Sequence, residues 1–356
     1  MSSLISFIFL ISILVFVHEL GHYLAARSVG VRVEKFYIGF NLFGLGWKKK
    51  IGDTEYGIGF FPLGGYVKVA GIIDESMDTN SSSLPDEFRS KPAWAQVWIM
   101  SAGVIMNFLL AIVINCSLIF FQGVGQVQND SKIGTIVPDY PAQNLGLKIN
   151  DRVIAIDGTE VNSWDEMTSI VHNKPSKKIL LEWDRNGLIF SDSIITKQEE
   201  RFINGEKRII GLIGVGPEVI MKEVTFFQSI NLGIKRTWEL SKLMIYGIIG
   251  LISGEVNLNE MAGPVMIAKI AGETAEVGFS ALLGLMAFLS INLGLVNILP
   301  IPGLDGGHII IALVEGILGR ELSLKVKMGI QQSGVLLLVS LTIFIMYNDL
   351  TKLFNQ

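Results

Sequence analysis

Two histidines and a glutamate sit inside an apolar run at the start of the chain, in His18-Glu19-Leu20-Gly21-His22. On a helix, residues four apart share a face, so His18 and His22 can chelate one ion. Glu19 follows His18 directly, where its carboxylate can reach a water polarised by that ion. Two nitrogen ligands, an open coordination position and a base are what a zinc hydrolase needs. The surrounding run, Leu4 to Ala26, is long enough to cross a hydrocarbon core of ~30 Å. Ionisable groups at that depth are costly unless paired, and a metal is an economical partner for three of them. A buried hydrogen-bonded cluster or a transporter's proton relay is the blander reading of the same three residues.

Two histidines leave a third ligand to be found. The segment Asn297-Ile-Leu-Pro-Ile-Pro-Gly-Leu-Asp-Gly-Gly-His308 breaks an apolar run with two prolines and three glycines. Non-helical backbone at membrane depth is tolerated where it is buried in protein or lines a polar cavity. Asp305 and His308 are both chemically able to bind zinc. Two further histidine-free features accompany them. Asn297 and Pro302 in the break, and Gly64 and Gly65 in the run Thr54 to Val69, are candidate substrate-binding residues. That run reads as a β-hairpin of two strands about a Leu-Gly-Gly turn.

These residues need elements to hold them, and the composition says which. Half of the 356 residues are hydrophobic and the mean hydropathy is +0.48, more apolar than a soluble protein of this length. Apolar runs at about 4–26, 95–121, 281–301 and 334–347 predict four transmembrane helices. The net charge of -4 gives no sign of nucleic-acid binding. One cysteine, Cys116, excludes an intrachain disulfide. Arg27, Arg32, Lys35 and Lys48 to Lys50 after the first span, and Arg320, Lys325 and Lys327 before the fourth, place those short loops in the cytoplasm. The long region between the second and third spans then lies outside. Phe226 to Ser253 reads as an amphipathic helix interrupted by Lys235, Arg236, Glu239 and Lys242, lying in the lipid interface in preference to crossing it.

The domain reading is therefore 1–121 with two spans and the hairpin at about 54–69, an inserted module at 122–220, an interfacial helix and linker at 221–280, and two spans at 281–356. The fold class is an α-helical polytopic membrane protein with a membrane-associated β-hairpin and an extracytoplasmic insert. Within that insert, Asp157-Gly158 is a tight-turn signal between short alternating strands. Gly134 to Val161 resembles bacterial PDZ domains, with Asn150-Asp151 where Gly-Asp is usual and Leu145-Gly146-Leu147 where Ala-Gly-Leu is usual. PDZ domains take extended peptides at a sheet edge. A spacer without a ligand is the alternative.

Taken in order, the HELGH helix, the PDZ-like insert and the NILPIPGLDGGH segment resemble the site-2 protease family, in its bacterial regulator-of-sigma-E protease branch. Gly103-x-x-x-Asn107 before the insert and Gly263 to Lys269 after it extend the resemblance over nearly the whole chain. The resemblance implies an intramembrane zinc metalloprotease of the bacterial cytoplasmic membrane. Its zinc would be held by His18, His22 and Asp305, with Glu19 as the catalytic base and Asn297 holding unwound substrate. It implies single-span membrane proteins as substrates, cut after a first extracytoplasmic cleavage. A substrate tail could dock at the PDZ-like module, and lipid surrounds the spans. Water would enter along Leu42 to Gly46 and Phe60 to Gly65. The competing classes are a membrane-anchored PDZ scaffold with an inactive metal site and a metal-ion carrier.

Overall fold

The computed structural model describes residues 2–41, 46–72, 84–203, 206–257 and 261–354. The chain opens with helix α1 (Ser2–Ser28) and strands β1 (Val33–Phe40), β2 (Gly46–Ile51), β3 (Thr54–Gly59) and β4 (Phe61–Val69), then α2 (Ala93–Gln122). The insert follows as β5 (Val124–Val127), β6 (Ile133–Ile136), α3 (Pro141–Asn144), β7 (Arg152–Ile156), β8 (Thr159–Glu160) and α4 (Trp164–His172). It continues through β9 (Lys178–Arg185), β10 (Leu188–Ile195), β11 (Lys197–Ile203), β12 (Glu206–Leu212), β13 (Val215–Pro217) and β14 (Val219–Lys222). Among the described residues five helices follow: α5 (Phe226–Ser253), α6 (Pro264–Val277), α7 (Phe279–Asn297), α8 (Asp305–Leu318) and α9 (Leu324–Phe354). Contacts divide it into two units, residues 1–121 with 225–356, and 122–224.

Among the described residues four helices are long and apolar enough to cross a membrane: α1, α2, α7 and α9. The fourth is twice the length of the apolar run that announces it, because α9 begins with polar Lys325, Lys327, Gln331 and Gln332 and keeps its register through them. Helix α8 has no counterpart in the sequence reading. Its apolar part is too short to span, and Gly306 and Gly307 hide its start: a Cβ on Gly307 would lie 2.5 Å from the Ile301 carbonyl oxygen, so only glycine lets α8 begin tucked against the break. The first unit's apolar centre joins Leu10 and Leu14 of α1, Ala111 and Ile114 of α2, and Met286 and Ile291 of α7. Helix α5 packs on α2 through small or polar residues one turn apart, Ser229, Gly233, Thr237 and Ser241, with Asn115 Nδ2 donating to Thr237 Oγ1 at 3.0 Å. Its four charged residues are exposed. Close approach through small side chains is how helices associate in lipid.

The expected hairpin is instead part of a four-stranded sheet in the order β2-β3-β1-β4. Strand β1 lies between β3, which it meets in parallel, and β4, which it meets antiparallel. Leu63-Gly64-Gly65 is no turn but the interior of β4. The physical reason is Tyr37. Its ring lies over Gly57, and its carbonyl oxygen would be 2.6 Å from a Cβ on Gly65, so two glycines open the slot that β1 fills. Of the expected water route, residues 42–45 lie outside the described residues.

The second unit has its own core, with Ile133, Val153, Ile156, Met167, Leu181 and Trp183 buried together. Its main sheet runs β10-β9-β7-β8. Its two ends pair with each other, β5 antiparallel to β14 with Val127 opposite Val219.

Candidate metal centre

His18 and His22 are buried, 7% and 8% exposed, on the face of α1 that meets α2. Glycine makes that meeting possible from both sides. Gly21 of α1 lies against the Ala102 carbonyl of α2, and Gly103 of α2 lies under both imidazoles, where a Cβ would be 2.6 Å from His18 Cε1. Asp305 arrives from the far end of the chain. Helix α7 stops at Asn297, the backbone turns through Pro300, Pro302 and Gly303 (φ +94°), and α8 restarts at Asp305.

Three ligand atoms converge there. His18 Nε2 lies 3.2 Å from His22 Nε2, and Asp305 Oδ2 lies 3.3 Å from the first and 3.4 Å from the second. Ligands at the ~2.0–2.1 Å typical of zinc–nitrogen and zinc–oxygen bonds sit about 3.3–3.4 Å apart at the corners of a tetrahedron. The observed triangle is one face of such a tetrahedron, with a fourth corner left for solvent or substrate. Asp305 Oδ2 is buried with no hydrogen-bond donor of its own, as a metal ligand would be. His308, one turn further along α8, lines the cavity but is not among the converging atoms.

The far side of each ring is also held. Ile99 carbonyl oxygen accepts from His22 Nδ1 at 2.8 Å, which leaves Nε2 as the lone-pair nitrogen. The Asn107 side chain lies 3.1 Å from His18 Nδ1. Glu19 is fixed from another direction, by the β4 backbone: Val67 N–H donates to Glu19 Oε2 at 3.0 Å. Asn297 Nδ2 lies 3.3 Å from His18 Nε2. A cavity of about 680 Å³ opens in front of these groups, walled by Glu19, Asn297, Gly65, Val67 and His308.

The candidate substrate residues fare differently. Asn297 and Gly65 line the cavity. Gly64 comes just before Gly65 on β4, at φ +108° and outside the lining. Pro302 faces α9, its backbone pressed against Gly334. The Val67 amide, the Ile99 carbonyl and the role of Gly103 were not read from the sequence. A backbone group carries no residue signal. Ile99, Gly103 and Asn107 do fall four apart, mirroring 18 and 22 on the helix opposite.

The sequence matches the profile of peptidase family M50 over residues 6–341. The chain belongs to peptidase family M50. Relatives within it are similar along their full length. A candidate zinc metalloprotease of Campylobacter jejuni is 33% identical over 98% of this chain and 93% of its own. One from Rickettsia conorii is 33% identical over 100% of both chains. One from Clostridium perfringens is 32% identical over 95% of this chain and 96% of its own. Among solved structures, the PDZ domain of an SdrC-like protein from Listeria monocytogenes overlaps 26% of this M50 chain at 17% identity, with a TM-score of 0.21.

The insert of this M50 protein holds a second cavity, of about 400 Å³, between α4 and the segment that joins β12 to β13. Its walls are Trp164, Met167, Val171 and Ile213, with His172 and Arg201 at the edge. Burial, helped by the Arg201 charge, holds the His172 imidazole below its ordinary pKa, so it is neutral near pH 7. Helix α4 is held at its start by Ser163 Oγ, which accepts from Glu166 N–H at 3.2 Å, while Glu166 Oε2 accepts from Asn162 N–H at 2.9 Å.

Proposed function

We propose that this M50 protein is an intramembrane zinc metalloprotease that cuts the membrane segments of single-span proteins. The observation that carries the reading is the triangle of His18 Nε2, His22 Nε2 and Asp305 Oδ2 at tetrahedral spacing, with Glu19 beside it. A zinc ion held there would supply Lewis acidity to a water and to the scissile carbonyl. The chain's own residues do the rest. Glu19 takes a proton from the attacking water and passes one to the leaving amine. The Val67 N–H keeps that carboxylate aimed into the cavity.

A transmembrane substrate hides its peptide bonds in helical hydrogen bonds and must unwind before it can be cut. Strand β4 is an edge of its sheet and forms a cavity wall through Gly65 to Val69, so an unwound segment can pair with it. The Asn297 amide at the cavity wall is placed to hold the unwound backbone. Lysine and arginine bias puts the insert outside the bacterial cytoplasmic membrane, where its apolar groove suits an extended peptide or substrate tail. Substrates reach this site after an earlier extracytoplasmic cut has removed bulk. A PDZ scaffold without activity would use the groove but would have no use for three converging ligand atoms.

The deciding experiment compares wild type with Glu19→Gln against a panel of single-span membrane proteins in proteoliposomes. Cleavage by wild type should fall at least ~100-fold in the variant, the scale of general-base catalysis, with zinc content unchanged. Cleavage that survives the substitution would remove Glu19 from its role, and a wild type that neither binds zinc nor cuts any substrate would overturn the reading.

A further inference from the structure

The face of α2 behind the metal centre is organised at four-residue intervals. Ile99 offers its carbonyl to His22, Gly103 leaves room under both rings, and Asn107 brings its side chain to His18. Because α1 and α2 run antiparallel, His22 meets the first of these and His18 the last. Each imidazole therefore has one dedicated partner on its Nδ1 side and one face toward the ion. A metal-binding histidine commonly donates its other ring N–H to such a partner, which fixes the tautomer and the ring plane. For His22 the partner is a backbone carbonyl, which can only accept. For His18 it is an amide, which can do either.

Three observations decide how that amide acts. Asn107 is fully buried, at 0% exposure, in a helix surrounded by apolar residues. Its Nδ2 is the atom drawn 3.1 Å from His18 Nδ1, while its Oδ1 has no hydrogen-bond partner. A buried amide oxygen without a donor is costly, because it gives up its water and gains nothing in exchange. Oxygen and nitrogen of such an amide are exchanged by a half-turn of the group, and its orientation is read from the bonds it makes. With the oxygen toward His18, Nδ1–H donates to Oδ1, the orphan is satisfied and Nε2 carries the lone pair. The other orientation puts a donor against Nδ1 and forces the ring proton onto Nε2, against the metal.

We infer that Asn107 is a positioning residue for the metal centre: its Oδ1 accepts from His18 Nδ1–H and so presents His18 Nε2 to the ion. Asn107 also has a structural tie that must be separated from this role. Ser290 Oγ on α7 donates to the Asn107 backbone carbonyl at 2.8 Å. That bond holds α2 to α7 whatever the side chain does.

The inference rests on the proposed zinc site, and the test separates the two. Zinc dissociation constants are measured by chelator competition for wild type, Asn107→Leu, Asn107→Asp and Ser290→Ala. Asn107→Leu keeps the side-chain volume and removes the acceptor, so the constant should rise about 10–100-fold. Asn107→Asp keeps an oxygen toward His18 and should stay within about threefold of wild type, as should Ser290→Ala. The aspartate variant also guards against misfolding, because any loss of fold at this buried position would affect it at least as much as leucine. Wild-type affinity in Asn107→Leu, or equal loss in the aspartate and leucine variants, would overturn the role of Asn107 and leave the zinc site standing. A wild type that binds no zinc would instead remove the site itself.

Discussion

At the scale of single residues the proposed metal centre is a contest between two candidates three positions apart in the sequence, Asp305 and His308. Both face the same cavity, yet only the aspartate completes the triangle with His18 and His22. Asp305→Ala should therefore release the metal, while His308→Ala should retain most of it. Metal analysis of the two purified variants settles the matter, and zinc lost from the His308 variant alone would reverse the ligand set. The histidine pair and its glutamate were legible because their chemistry is rare in an apolar helix and their spacing is local. The choice between Asp305 and His308 was not legible from the residues themselves, since it depends on where α8 restarts after the break. Asn107 could be noticed only as a spacing, since its task is set by a ring on another helix.

Elements show where the sequence speaks and where it is silent. Three spanning helices were visible because each apolar run matches its helix to within four residues at either end, the third overshooting Asn297 because Ile298 to Ile301 stay apolar after α7 stops. Strand β1 was missed as a partner because its neighbours in the sheet are set by glycines, Gly57 and Gly65, whose importance appears only when Tyr37 is packed against them. Helix α6 gives a prediction of its own. Asp349 on α9 is fully buried, and its carboxylate accepts from the N–H groups of Gly263, Val265 and Met266 at 2.9, 3.1 and 3.0 Å. It caps the start of α6 across more than eighty residues of sequence, and Lys352 Nζ adds a bond to the Met261 carbonyl. Asp349→Ala leaves three N–H donors, that of Gly263 buried, without their acceptor and should lower stability by roughly 1–3 kcal/mol. Unfolding of the detergent-solubilised protein measures it, and an unchanged midpoint would show that the cap is dispensable. In the insert, Asp151 is paired with Arg185 through two bonds of 2.7 Å. Burial pushes the Asp151 carboxyl up, but the Arg185 bonds and the Lys148 N–H outweigh it and hold the carboxyl below its ordinary value. A carboxyl lowered on folding stabilises above its unfolded pKa of about 3.9 and loses that contribution as pH falls below it. Thermal unfolding of the insert should thus weaken below about pH 4, and Asp151→Asn should lower stability by about 2 kcal/mol at neutral pH and flatten that acid limb.

At the scale of the whole molecule, the insert begins and ends in one paired ribbon. Val127 and Val219 are opposite one another in the β5–β14 ribbon, so everything between them can be replaced by a two-residue Asn-Gly turn that leaves a closed hairpin. None of the proposed metal ligands lies in the part removed. If the insert screens substrates by size, the shortened protein should cut both intact and pre-trimmed single-span substrates, while the full-length protein should prefer the trimmed form. Cleavage assays with both substrates and both proteins test this. Equal cutting of the two substrates by the full-length protein would end the size-filter reading, and an inactive but folded short form would show that the insert does more than exclude.

The proposed ligand set has one more consequence, and it concerns time. His18 and His22 are made more than 280 residues ahead of Asp305. Until α8 has been made and inserted, the early helices hold two imidazoles and a glutamate but lack the carboxylate that closes the site. On that ligand set a growing chain would not yet cut its own helices or a segment being inserted beside it. Hydrolysis would begin only once α8 joins the early helices, so the order of synthesis itself would act as a safety catch.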